Sequence, residues 1–325
     1  MNFFVTKYHQ LLTFFILLFL LIGCTPYDKP LAIGAAPWPS FEFAFLANEM
    51  GYLEESDYSL LELTSSTTVI QAFQTGELDL AFLSLDEVLT LIALGVDLKI
   101  ISVIDKSQGG DALVAKPEIK SLEALNLRSI GYENKAAGAL ILDEVLTLTG
   151  LNSQTVKLYE VKQHEVKEAY LKGNIDAFVV REPVKQELLA LGANELINSN
   201  QLTIPNTNVL VAHADIVETK QKQISYFLKQ YYRAYDFYLG NPTEALNIIS
   251  VRLQLYPYLL ENAFLNTRFF HPKQALMRLS GSPSNIELQM QQLSKLMTKR
   301  GMLGQIHIDF SSIISTRTLE RAIYE

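Results

Sequence analysis

YSLLELTSSTTVIQAFQTGELDLAFLSLDEVLTLIALGVDLKIISVI, from Tyr58 to Ile104, decides the fold. Tyr58–Leu63 is short and rich in strand formers, and Ser65-Ser66-Thr67-Thr68 then supplies hydroxyls that cap a helix running to Gln74. Leu78–Leu83 returns to strand, Asp86–Leu94 to helix and Lys99–Ile104 to strand. Upstream, Leu31–Ala35 is a strand and Phe41–Gly51 a helix, with Ser40 as its N-cap and Gly51 as its stop. This alternation predicts an α/β chain whose sheet is largely parallel and covered by helices.

The theme restarts downstream. Ala112–Ala115, Arg128–Tyr132, Val156–Glu160, Ala177–Val180 and Thr207–Ala212 read as strands. Ala137–Thr149, His164–Lys172 and Glu182–Leu191 read as helices. The two α/β stretches do not repeat in sequence and are expected to be two similar small lobes, each with its own sheet. From Asp215 onward the chain is nearly all helix: Ile216–Leu239, Thr243–Leu253, Tyr256–Leu265, Asn285–Met302 and Ser311–Tyr324. Phe227, Tyr231, Tyr235 and Tyr238 recur at helical spacing, a stripe that reads as core packing before it reads as a ligand platform.

Composition narrows the function. The 325 residues are 49% hydrophobic and 19% charged, which excludes a disordered or fibrous chain and favours two domains. With 27 basic and 35 acidic side chains the net charge is −8, so there is no basic face for nucleic acid. The single cysteine excludes an internal disulfide, a zinc ribbon and a CxxC redox site. That cysteine, Cys24, follows Leu11–Ile22, an apolar stretch interrupted only by Thr13. The stretch is too short for the roughly 20 residues of a spanning helix and suits a signal-peptide core. Leu21-Ile22-Gly23-Cys24 resembles the bacterial lipobox, which implies that residues 1–23 are a lipoprotein signal peptide, that Cys24 is lipidated and that 24–30 is a tether. The expected location is the cell envelope, outside the cytoplasmic membrane and held to it by lipid.

Several segments carry a family resemblance. GAAPWPS (Gly34–Ser40) leads into a helix ending ANEMGYL (Ala47–Leu53). AFQTGELDLA (Ala72–Ala81) is followed by SLDE (Ser84–Glu87). SQGGDALVAK (Ser107–Lys116) precedes SLEAL (Ser121–Leu125), and GNIDA (Gly173–Ala177) precedes Arg181-Glu182-Pro183. In order and spacing these resemble the substrate-binding proteins of nitrate, sulfonate and taurine ABC importers, relatives of the thiamine-pyrimidine-precursor binders, over roughly residues 31–213. The resemblance implies a type II periplasmic-binding-protein fold with a helical C-terminal tail. Lobe I would be 31–112 plus 208–325 and lobe II 113–207. Hinge strands would lie near Leu113–Ala115 and Asn208–Val211. It also implies a monomer that captures a small molecule in the interlobe cleft and delivers it to an ABC permease.

In an open sheet, ligands sit beyond the carboxyl ends of the strands, where helix N-termini present free N–H groups. The loops expected there are Pro37–Ser40, Ser65–Thr68, Ser84–Asp86, Glu133–Ala136 and Arg181–Pro183. Trp38 is placed to stack on a ligand. Hydroxyls of Ser40, Thr67, Thr68 and Ser84 either donate to the ligand or cap their own helices. Gly110 and Asn134 belong to the same set of loops. Asp86 either caps its helix or faces the ligand. Asp111 and Glu182 pair with an amine or heterocycle N–H, or with Arg181. Only Lys135 and Arg181 answer these acids, which favours a cationic, zwitterionic or heterocyclic ligand over nitrate and keeps a sulfonate as the family alternative. No metal or cofactor is expected. His9, His164, His213, His271 and His307 are scattered; Glu168 stands where HExxH needs its second histidine; GxSxG, P-loop and GxGxxG are absent. The cysteine-rich iron motif of the pyrimidine synthase that shares this fold is missing too. Binding is therefore expected rather than catalysis, with a sensor lipoprotein of the same fold as the alternative.

Overall fold

The first α/β stretch forms because short apolar runs are punctuated by capping hydroxyls. In the computed structural model, which describes residues 29–134, 137–152, 154–203, 206–304 and 309–325, it comprises β1 (Leu31–Ala35), α1 (Glu42–Glu49), β2 (Tyr58–Glu62), α2 (Ser66–Gln74), β3 (Leu80–Ser84), α3 (Leu85–Ala93) and β4 (Leu98–Ser107). The leader, Cys24 and Lys135 lie outside the described residues. The second stretch comprises β5 (Asp111–Ala115), a 3-10 turn at Leu122–Leu125, β6 (Ser129–Tyr132), α4 (Ala137–Thr149), β7 (Lys157–Glu160), α5 (Gln163–Lys172), β8 (Ala177–Arg181), α6 (Val184–Ala190) and β9 (Asn194–Asn198). Then come β10 (Thr207–His213), α7 (Ala214–Thr219), α8 (Gln221–Gly240), α9 (Pro242–Leu253), α10 (Pro257–Leu265), β11 (Thr267–Phe269), α11 (Pro272–Leu279), α12 (Asn285–Lys299) and α13 (Arg317–Tyr324).

Two sheets result, in the orders β11-β4-β10-β3-β1-β2 and β7-β6-β8-β5-β9. Both are mixed, which corrects the expectation of a largely parallel sheet. β1 pairs in parallel with β2 and β3, but β10 runs antiparallel between β3 and β4. In the second sheet β5 is antiparallel to both β8 and β9. The departure arises because the chain leaves the first sheet along β4 and re-enters it along β10. Strand β8 is buried at every residue. Ala177 and Val179 join one core, Phe178 and Val180 the other, as befits a strand covered on both faces.

The two stretches are similar lobes, each with its own sheet, and they share a structural repeat. Asp79 Oδ2 accepts from the Ala32 amide at 2.8 Å, and Asp176 Oδ2 accepts from the Ser129 amide at 2.9 Å. The acids are 97 positions apart (176 less 79). The same offset relates Gly76 to Gly173, both left-handed with φ +76° and +73°, and the strand pairing Ile33–Leu80 to Ile130–Ala177. Outside the Gly-x-apolar-Asp turn identities at this offset are sparse, among them Ile33 with Ile130, Gly34 with Gly131, Val69 with Val166 and Ala72 with Ala169, and most side chains differ.

The aromatic stripe of α8 is core, as expected. Phe43 packs against Tyr231, Tyr235, Tyr238, Phe264 and Phe269 with ring centroids 5.1–6.0 Å away. The helix is shorter than expected, because the segment from Ala214 to Thr219 is a separate helix. The chain passes from the first sheet to the second through 108–110 and returns between β9 and β10; Leu113–Ala115 and Asn208–Val211, near which the hinge strands were expected, are buried inside β5 and β10. The crossings are tied together by Ser107 and Ser199, whose hydroxyls lie 2.8 Å apart, and by the Gly109 amide, which donates to Ser199 Oγ at 2.7 Å. No helix among the described residues is long and apolar enough to cross a membrane.

Candidate functional site

The strand ends of the two sheets converge on one buried guanidinium. Arg181, the last residue of β8, is 8% exposed. Its Nη1 donates to Ser66 Oγ at 2.9 Å, at the start of α2, and its guanidinium lies over the Trp38 ring at 4.6 Å. Its Nε is 4.0 Å from Asp111 Oδ1, while Asn206 Nδ2 donates to Asp111 Oδ2 at 2.7 Å. Two small cavities flank Asp111. One is lined by Arg181, Ser66, Glu133 and Gln163, the other by Asp86, Ser199 and Asn206; Ala137 and Ile141 wall both.

The structure places Trp38 at 1% exposure, with one ring face under Arg181 and Nε1 donating to Asp105 Oδ2 at 3.0 Å. Ser40 does not cap α1, whose N-cap is Phe41; its hydroxyl donates to Asp105, and its carbonyl accepts from Tyr231 at 3.0 Å. Thr67 reaches across the cleft: its amide and hydroxyl donate to Glu133 Oε1 at 3.1 and 2.8 Å, and the hydroxyl also reaches the Asn134 carbonyl at 3.4 Å. Thr68 is consumed by the capping of α2, its hydroxyl donating to the Ser65 carbonyl at 2.7 Å. Ser84 is the N-cap of α3, and its amide donates to Glu87 Oε2 at 2.8 Å. Asp86 is therefore not the cap; it is buried in the first turn, beside the Asp111 cavity. Gly110 is required where it is: a Cβ there would come within 2.7 Å of the Trp38 ring and 3.1 Å of the Asn266 carbonyl. Glu182 is fully buried. Its Oε1 accepts from Gln186 at 2.7 Å and from Asn266 at 2.9 Å, and Lys185 Nζ stands 3.8 Å away. Trp38, Gly110, Asp86, Asp111 and Arg181 thus come together, while Thr67 and Asn134 meet at the rim.

Electrostatics at this centre are dominated by burial. Removal from water raises Asp86, against the Ser84 bond, its own backbone and the charge of Arg181, with Asp111 raising it further. Burial lifts Glu87 to about 7, and the Asp86 charge adds to that. Asp105 is lifted to about 6 by burial, against hydrogen bonds from Ser40, Asn208 and Trp38 and the charge of Arg181. Glu182 is lifted to about 7 by burial, against the Gln186 bond and the Lys185 charge.

Sequence reasoning missed Asp105, Asn206 and Lys185, and named the loops that carry Ser66 and Glu133 without singling out those two residues. Asp105 did leave a signal, an acid ending the apolar run Ile100–Ile104. Lys185 is buried within α6, bonded to the Gly109 carbonyl at 2.7 Å and to Glu195 at 2.6 Å, which no spacing announces. Among the described residues no group of three or more His, Cys, Asp or Glu is placed to hold a metal ion.

The sequence signature of the NMT1-like family matches residues 25–251. No curated protein matches the chain. Among solved structures, the alkanesulfonate-binding protein SsuA from Xanthomonas axonopodis pv. citri, bound to MOPS, is similar with a TM-score of 0.76 at 14% identity, over 90% of this chain and 100% of that one. The ligand-binding component of an ABC-type import system from Staphylococcus aureus, with zinc bound, gives 0.73 at 13% identity, over 91% and 99%. The desulfurization enzyme DSZB gives 0.66 at 12% identity, over 90% and 98%. The two-lobed periplasmic binding protein fold is shared by all three, so it serves binding proteins and at least one enzyme.

Proposed function

The chain belongs to the NMT1-like family, and from that premise we propose that it is a solute-binding lipoprotein. It captures a small polar molecule between its two sheets and delivers it to an ABC permease. The supporting observation is the set of bonds joining strand-end loops of one sheet to those of the other: Thr67 to Glu133, Arg181 to Ser66, and His164 Nδ1 with the Thr64 carbonyl at 3.2 Å. Loops that meet this way bracket a ligand, and a ligand touching both sides favours the closed form. The lobes, 31–112 plus 208–325 against 113–207, turn about the paired crossings. The buried acids around Arg181 favour an amine, zwitterion or heterocycle over a bare anion.

The test is recovery of the ligand. Protein purified without denaturation and then unfolded is expected to release a small molecule at near-equal stoichiometry by mass spectrometry. No release, with no response to any titrated solute, would refute capture. Attachment is tested separately: Cys24→Ser is expected to leave an unprocessed precursor without lipid, and normal maturation would defeat the lipobox reading.

A further inference from the structure

Arg181 holds only part of its hydrogen-bonding capacity within the protein. Nη1 serves Ser66, but Nε and Nη2, both buried, meet no acceptor within hydrogen-bond distance among the described residues. The Asp111 carboxylate, 4.0 Å from Nε, is too distant to fill that role. Nε and Nη2 are the adjacent donors of one guanidinium edge, whose fork matches the two oxygens of a planar carboxylate. The cavity that Arg181 lines also meets Ala137 and Gly138, the first described residues of the 13-residue helix α4. Glu133 faces the same cavity, with its Oε1 already held by Thr67.

The neighbouring cavity has the opposite character. Asp86, Asp111, Ser199 and Asn206 bring oxygen acceptors to it, and among the described residues no cationic side chain lines it. Asn206 spends its Nδ2 on Asp111 and leaves its buried Oδ1 without a donor among the described residues. Leu140 and Leu202 complete an apolar wall. The site therefore has a donor end and an acceptor end, with Asp111 between them. A bare anion would join Asp86, Asp111 and Glu133 around one guanidinium, and a bare cation would leave the arginine edge unanswered. Either leaves a buried charge or donor without a partner, which is strongly unfavourable.

We infer that the captured solute is a small amino acid-like zwitterion, its carboxylate seated on the Nε–Nη2 edge of Arg181 and its charged nitrogen facing Asp86, Asp111 and Asn206. The inference rests on the capture reading and narrows it to one ligand chemistry. Isothermal titration with β-alanine, γ-aminobutyrate, butyrate, butylamine and propane-1-sulfonate tests it. At least one amino acid is expected to bind at least about tenfold more tightly than each single-charge analogue. Asp86→Asn, nearly isosteric, is expected to remove most of that preference by weakening the amino acid and sparing butyrate. Butyrate, butylamine or propane-1-sulfonate binding as tightly as the amino acids would overturn the inference. So would an unchanged preference in a folded Asp86→Asn protein. If that variant does not fold, or the panel is silent, the molecule released from the native protein decides. A released molecule lacking carboxylate or charged nitrogen defeats the inference and leaves capture standing, whereas no released molecule and no titration response defeat both.

Discussion

Glu182 sits where burial and hydrogen bonding oppose each other. Its proton affinity rises to about 7 because burial outweighs the Gln186 bond, the Lys185 charge and the Asn266 bond. Between an unfolded value of about 4.3 and this folded one, the folded chain holds a proton that the unfolded chain has lost, so this group's contribution to stability falls as pH rises through that window. Glu182→Gln keeps an oxygen acceptor and cannot titrate. Its melting temperature relative to the native protein is expected to rise between pH 5 and pH 8, and an unchanged difference would mean the carboxyl does not titrate there. Gly110 offers a steric test: Gly110→Ala drives a methyl into Trp38 and the Asn266 carbonyl and is expected to destabilise by about 1–3 kcal/mol in denaturant unfolding. At this scale the sequence was legible at strand termini and just beyond them, as with Trp38 after β1, Asp111 opening β5 and Arg181 closing β8. It was opaque for Asn206 and Asn208, whose partners Asp111 and Asp105 lie about a hundred positions away.

At the scale of elements, alternation of strand and helix was readable because each run has its own period and cap. What escaped were pieces too short or too polar to have one: β9, three-residue β11 and α11. Sheet direction also escaped, since nothing in Thr207–His213 says that it lies antiparallel to β3. One contact between elements bears on closure. Arg300, at the end of α12, pairs with Asp143 of α4 at 2.7 Å, joining the helical tail to the second lobe. The pair is partly exposed, so Arg300→Ala is expected to weaken solute binding only about two- to fivefold, by making the closed form less favourable. Titration with the released ligand checks this, and unchanged affinity would show that the pair does not contribute to closure.

Across the whole molecule, the 97-residue offset relates two half-structures that meet face to face at their strand ends. Similar backbones there carry unlike residues: Ser66 of α2 stands opposite in register to Gln163 of α5, and Ser84 to Arg181. The asymmetry of the site comes from those substitutions, which is why the fold was legible and the ligand chemistry was not. The stitching of Ser107, Gly109 and Ser199 gives the molecule a mechanical property as well. Two polypeptide crossings joined at one point would act, in the proposed capture, like adjacent pins of a single door hinge. If the lobes turn as proposed, such a joint would permit swing about the line through the crossings and resist shear, so the far rim, where Thr67 meets Glu133, would travel along one arc and return to the same register on closing.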